Sequence, residues 1–169
     1  MDEFNAALLI LRLAFGLTMA AHGYAKVFKG GKLDGTAGWF DSIGMKPGHL
    51  HARIAAFSEI FAGLGLAVGL LTSFSALATV GLMVVAGWVV HRNNGFFIVS
   101  EGWEYTFMLA VGAIGIAMLG PGAWSIDHAV GIATDFDGWV GLIIAALGGV
   151  AAGVGHLAAF YRPPVAAAS

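Results

Sequence analysis

Apolar residues run along this chain in five nearly uninterrupted stretches, at 6–27, 53–71, 74–92, 104–120 and 139–160, with polar or Gly/Pro-rich punctuation between them. Each approaches the roughly 20 residues that a helix needs to cross a hydrocarbon core about 30 Å thick. The pattern therefore predicts five transmembrane helices. Between the second and third stretches only Leu70-Leu71-Thr72-Ser73 and their neighbours are available, so these two must form a tight antiparallel hairpin turning near Thr72 and Ser73. The fourth stretch ends at Gly120-Pro121-Gly122, where proline removes a backbone donor and the glycines release the helix.

The first connection, about residues 27–53, is the longest polar segment. Within it Trp39, Phe40, Ile43 and Met45 fit one side of a short helix that begins around Asp34 to Thr36 and lies at the lipid interface, or an ordinary loop with aromatic anchors. Asn93-Asn94-Gly95 marks a turn in the third connection, and the fourth carries Asp127, Asp135 and Asp137 with no Lys or Arg. Of the basic residues, Lys26, Lys29, Lys32, Lys46, Arg53, Arg92 and Arg162 all fall at one end of a five-span arrangement, and only Arg12 does not. The positive-inside rule then puts the N-terminus outside and the C-terminus in the cytoplasm. Gly65/Gly69 and Gly149/Gly153 have the spacing that lets helices approach closely, as packing within the chain or as a homo-oligomer contact.

Composition sharpens this picture. The chain has 169 residues, 59% apolar and 11% charged, against about 45–50% and 25% in soluble domains. A net charge of -2 and the lack of any Lys/Arg run exclude nucleic acid as an expected partner. Without cysteine the chain has no disulfides, thiol redox chemistry, cysteine-bound iron–sulfur clusters or c-type haem attachment of its own. The opening Met-Asp-Glu does not resemble a basic signal-peptide start, so the first helix is expected to remain in place.

The ionisable residues inside the spans are the candidates for function, because burying them in hydrocarbon is costly. Depth at 1.5 Å per residue places His22, Lys26, Glu59, His91, Glu104 and Tyr105 in the cytoplasmic half, with Arg12 alone toward the other side and no acidic residue within the spans at its depth. Arg12, Met19, His22 and Lys26 share a sector of about 80° on the first helix. Glu59 is the only carboxylate well inside a span, and Lys26 or His22 is its natural partner. The group reads either as a lock between helices or as a polar pocket that binds a head group or passes protons. Two helical histidines, His22 and His91, are a weak signal for haem, which is not expected. His49 and His51 lack a third ligand at useful spacing and read as interfacial polar groups, so no metal is expected, and His156 reads as a packing histidine.

Several stretches resemble the DoxX family of small bacterial membrane proteins, and they occur in the family's order. They are Leu11-Arg12-Leu13-Ala14-Phe15-Gly16, His22-Gly23-Tyr24-Ala25-Lys26, Trp39-Phe40-Asp41-Ser42-Ile43-Gly44-Met45, Ser58-Glu59-Ile60-Phe61, His91-Arg92-Asn93-Asn94-Gly95 with Gly102-Trp103-Glu104-Tyr105, and Gly120 through Asp127. The resemblance covers residues 8–127. It implies a bacterial cytoplasmic-membrane protein, a four-helix transmembrane bundle over 1–127, and characteristic polar positions at Arg12, His22, Lys26, Glu59, His91, Asn94, Glu104 and Asp127. The segment 128–169, an acidic loop, a fifth transmembrane helix and a short cytoplasmic tail, departs from the short family pattern. Relatives are associated with quinone-linked thiosulfate oxidation and membrane oxidoreductase assemblies. The resemblance thus implies a membrane subunit of an oxidoreductase complex that binds quinone or anchors a soluble redox partner. A structural or assembly subunit and a small-molecule or lipid carrier are the alternative expectations. With no cofactor motif in the chain, enzymatic activity is expected only with a partner.

Overall fold

The computed structural model describes residues 1–163 and is an all-helical bundle; the last six residues of the expected tail lie outside the described residues. Helix α1 covers Asp2–Phe28, α2 Lys32–Ser42, α3 Gly48–Val68, α4 Thr72–Ala86, α5 Glu104–Leu119, α6 Ile126–Ala129, α7 Gly138–Ile143 and α8 Gly149–Phe160. A π-turn at Gly87–His91 and a 3-10 turn at Arg92–Asn94 extend α4, and a second π-turn at Ile144–Gly148 joins α7 to α8 into one long helix. Four helices, Asp2–Phe28, Gly48–Val68, Thr72–Asn94 and Gly138–Phe160, have the length and hydropathy to cross a bilayer. With 16 residues, α5 is only about 24 Å long. It nevertheless joins the same two ends of the bundle as α1: Tyr105 at its start meets His22, and Ala123 just past its end donates its amide to Asn5.

The ends of these helices are fixed by a few local devices. Asp2 and Glu3 lie in the first turn of α1 and Lys26 in its last, each of the sign that the helix dipole favours. The expected interfacial segment is the helix α2, beginning at Lys32 rather than Asp34 to Thr36. Asp41, in its last turn, accepts the Gly48 amide at 2.8 Å and so satisfies a free donor at the start of α3. At the other end of α3, Gly69 takes the left-handed conformation at φ 66° while the Leu70 amide donates back to Gly65 at 2.8 Å, a Schellman ending.

The turn from α3 to α4 depends on a residue more than fifty positions away. Leu71 also has a left-handed backbone, at φ 44°, which a leucine adopts at a cost of about 1–2 kcal/mol. Asp127 holds it there: its carboxylate accepts the amides of Leu71 (2.7 Å) and Thr72 (2.9 Å) and the Thr72 hydroxyl (2.7 Å). Asp127 thus caps α4 from across the bundle. Fully buried Arg12 reaches the same corner from α1 and donates through Nη2 to the Trp124 carbonyl. Asp127 of the fourth connection stands at that corner too, its amide donating to the Gly69 carbonyl.

Packing between the long helices rests on small residues. At Gly16 and Gly63 the backbones of α1 and α3 come so close that an added Cβ at Gly63 would run into the Gly16 carbonyl and the Ala20 backbone. Gly23 presses on Ala56 and Ile60 in the same way. The main apolar core, Leu66, Ala76, Val80, Ile116 and Ala145 among others, lies between α3, α4, α5 and the π-turn after α7. A second cluster, built from Phe40, Met45 and Ala52 against Leu157 and Phe160, holds α2 and the end of α8 together. There the Arg162 amide donates to Gly44 at 2.8 Å.

This seam yields the first prediction. Gly63→Leu overpacks a backbone contact, and Tm, followed by a thermal-shift assay in detergent, falls by roughly 5 °C or more. Gly115, with nothing within 4 Å of an added Cβ, tolerates alanine with a change of no more than about 2 °C. Equal losses at both positions would show that the seam is not specially tight.

Candidate functional site

The α1–α3 seam brings Lys26, in the last turn of α1, opposite Glu59 on α3. The ammonium donates to both carboxylate oxygens, at 2.8 and 2.6 Å. The side chains are 22% and 10% exposed, so the pair is largely removed from solvent. One turn earlier on α1, His22 Nε2 lies 3.0 Å from the Tyr105 hydroxyl on α5. With the proton on Nε2, the phenol accepts and its own hydrogen is free to donate elsewhere.

These groups line a cavity of about 630 Å³ between α1, α2, α3, α4 and α5. The rest of the lining is almost entirely apolar, with Met19, Phe40, Ile43, Leu82, Met83 and Leu109 among its residues. His91 reaches it from the end of the π-turn in α4. Its Nδ1 lies 2.6 Å from the Glu101 carbonyl and must be the donor, which leaves Nε2 as a proton acceptor in the neutral ring. Val89, Val90 and His91 of the π-turn all line the cavity; such single turns inside α-helices are frequent at functional sites. The arrangement can hold an amphipathic molecule, apolar body against the walls and polar end against Tyr105 or Lys26, with Glu59 and two imidazoles at hand to exchange protons.

The sequence model of a family described as DoxX matches residues 7–92, slightly more than half of the chain. This protein belongs to the DoxX family. It is also similar to the inner membrane protein YqjF of Escherichia coli (strain K12), 26% identical over 124 residues that cover 73% of this chain and 92% of that protein. No solved structure matches. Together with its apolar helices, these relationships make it a multi-pass protein of the bacterial inner membrane. The DoxX match spans α1 to the π-turn of α4 and so includes Arg12, His22, Lys26, Glu59 and His91, while Tyr105 and the fifth long helix lie beyond it.

The structure divides the candidate residues of this DoxX protein into three groups. His22, Lys26, Glu59 and His91 line the cavity together. Asn94 and Glu104 stand behind it as braces of the third connection: Asn94 donates to the Glu101 carbonyl at 3.3 Å, and Glu104 accepts the Ile98 amide at 2.8 Å. They support a strained turn, with Glu101 at φ 62°. Arg12 and Asp127 sit at the opposite end, about 15 Å from His22 along α1. Depth along the span puts Tyr105 at the level of His22, but only the structure makes it the hydrogen-bond partner of that imidazole and a member of the cavity lining. The segment expected as an interfacial helix or a loop with aromatic anchors is α2, and Trp39, Phe40 and Ile43 there form part of the cavity lining.

Of the two loop-1 histidines read as interfacial, His51 needs correction. His49 is exposed, 3.9 Å from Asp34. His51 is buried at 2% exposure, because α8 folds over it. Its Nε2 lies 3.3 Å from the Lys46 carbonyl and its Nδ1 3.1 Å from His156 Nε2. The carbonyl requires His51 to donate from Nε2, so the neutral pair has His156 donating to Nδ1.

A double-mutant cycle tests the ion pair. Lys26→Met or Glu59→Leu alone leaves one buried charge unpaired and lowers stability by about 3 kcal/mol, whereas the double variant regains most of that loss. Thermal denaturation in detergent reads all four proteins. Strictly additive losses would mean that the two groups act independently.

Proposed function

We propose that this protein is the membrane subunit of an oxidoreductase complex and binds a quinone in the cavity at its basic end, with a soluble redox partner docking on the cytoplasmic side. The observation that carries the reading is the cavity itself: about 630 Å³, largely apolar, with His22, Lys26, Glu59, His91 and Tyr105 in its lining, within the 300–1,000 Å³ typical of small-molecule sites. The residues suit a quinone. Apolar walls accept the ring and the start of an isoprenoid chain, and the Tyr105 hydroxyl, held by His22, is a donor for a ring carbonyl. The resemblance to relatives associated with quinone-linked oxidation points the same way.

A bound quinone supplies the capacity to take up two electrons and two protons. This chain's residues would do the rest: Tyr105 orients the ring, His22 fixes the phenol, and Glu59 and His91 Nε2 hold protons beside it. Lys26 holds the Glu59 carboxylate in place through both of its oxygens. The concentration of basic residues around this end supports a cytoplasmic location for it, with the N-terminus outside. A purely structural subunit is the second reading, supported by the closed, bidentate Lys26–Glu59 contact.

Purification from native membranes in mild detergent, followed by mass spectrometry of extracted small molecules and co-purifying proteins, separates the two. Near-stoichiometric quinone is expected in the wild type, reduced about tenfold in Tyr105→Phe through loss of one hydrogen bond of about 1.4 kcal/mol. Glu59→Gln should retain quinone but slow any proton-coupled turnover by the complex. A wild-type protein that brings down partners but no quinone would leave the structural reading standing.

A further inference from the structure

A second space lies outside the cavity, on the surface of the bundle between the last turns of α4 and the first turns of α5. It is a shallow groove of about 350 Å³ lined by Met83, Val84, Gly87, Ala110 and Phe107, with Trp88, Trp103, Thr106 and Arg92 at one end. Gly87 keeps it open, since an added Cβ there would press on the Thr106 hydroxyl. Trp88, Trp103 and Phe107 are 49%, 38% and 46% exposed. The groove floor is apolar and faces lipid, so no solvent-borne polar ligand suits it.

The groove's length and its charged end specify more. From Arg92 to Met83 is nine residues along one helix, or about 14 Å, close to the ~15 Å depth of one leaflet's hydrocarbon. The two tryptophans sit beside Arg92, where indoles collect at the membrane–water boundary. The Arg92 guanidinium lies over the Trp88 ring at 4.2 Å and has no carboxylate within ion-pair distance among the described residues. The nearby Glu104 carboxylate is turned onto the Ile98 amide. A cation held flat at the interface by an aromatic face, with its donors free, is suited to a phosphate.

We propose that this groove is a binding site for one anionic phospholipid of the cytoplasmic leaflet, with its phosphate on Arg92 and an acyl chain laid along Gly87 toward Met83. The charge complementarity selects an acidic head group over a zwitterionic one, and the groove's length matches the span of an acyl chain across a single leaflet. The site is separate from whatever the cavity holds, although Met83 and Thr106 line both spaces. A lipid seated here would press on that shared wall.

Native mass spectrometry of the full-length protein in mild detergent, titrated in parallel with phosphatidylglycerol and phosphatidylcholine, tests the site. One phosphatidylglycerol should bind at least about fivefold more tightly than phosphatidylcholine, the order expected of one basic residue at an anionic head group. Arg92→Gln should erase that preference, Gly87→Leu should weaken both lipids, and Arg162→Gln, at the same end but off the groove, should change neither. Arg92 is exposed, so its substitution decides the matter even if Gly87→Leu does not accumulate. Equal binding of the two lipids by wild type, or an unchanged preference in Arg92→Gln, overturns the proposal. So does full displacement of the lipid by inorganic phosphate, which would mark a site for the anion alone, or a dimer dissociated by Gly87→Leu, which would put a second copy of the chain in the groove.

Discussion

The contact on which the rest of the structure depends is the backbone-to-backbone seam between α1 and α3 at Gly16, Gly23 and Gly63. In a bilayer the hydrophobic effect does not hold helices to one another, so close approach through small residues supplies the packing that fixes their register. Once Gly16 faces Gly63 and Gly23 faces Ala56, the antiparallel register leaves no freedom. Lys26 arrives at Glu59 at one end, and Arg12 arrives at Gly69 at the other.

The two ends use buried charge differently. At the acidic end, Arg12 is wholly enclosed and its Nε and Nη1 find no acceptor among the described residues. At the same corner the Asp127 carboxylate caps α4 and restrains a left-handed leucine. Arg12 and Asp127 there hold three chain segments together. At the basic end the Lys26–Glu59 pair is satisfied in itself but stands on a cavity wall, beside a phenol and two imidazoles with capacity to spare. Buried ion pairs contribute little net stability compared with apolar packing. A pair placed beside open space is therefore better explained by what the space receives than by helix locking alone.

The apolar stretches, the tight turn at Thr72, the one-sided distribution of basic residues and the Lys26–Glu59 pairing were all legible in the sequence, because length, charge and depth along a helix are one-dimensional quantities. The cavity was legible only in part. Depth brought His22, Lys26, Glu59 and His91 to one level, but depth cannot say which helices are neighbours, so Tyr105 and the α2 side chains were not assigned to the wall. Asp127 is the clearest case: a loop aspartate after a Gly-Pro-Gly break gives no sign that it caps a helix more than fifty residues earlier. Neither π-turn is visible, since an inserted residue in an apolar helix leaves no mark on a hydropathy pattern.

The second of those π-turns explains how the fifth long helix joins a bundle that the family match does not extend to. By inserting a residue at Ile144–Gly148, it sets Gly149 and Gly153 against Val80 and Val84 of α4, where glycine alone fits. This alignment carries His156 to His51 and Phe160 to the same imidazole, with ring centroids 5.0 Å apart. Phe40 packs against His51 as well, at 6.2 Å between ring centroids, and lines the cavity. Helix α8 never touches that space, yet it backs the aromatic wall that closes it. Shortening the chain before α8 would leave the Lys26–Glu59 pair in place and remove the support behind Phe40, so the fifth helix shapes the cavity from behind rather than contributing a group to it.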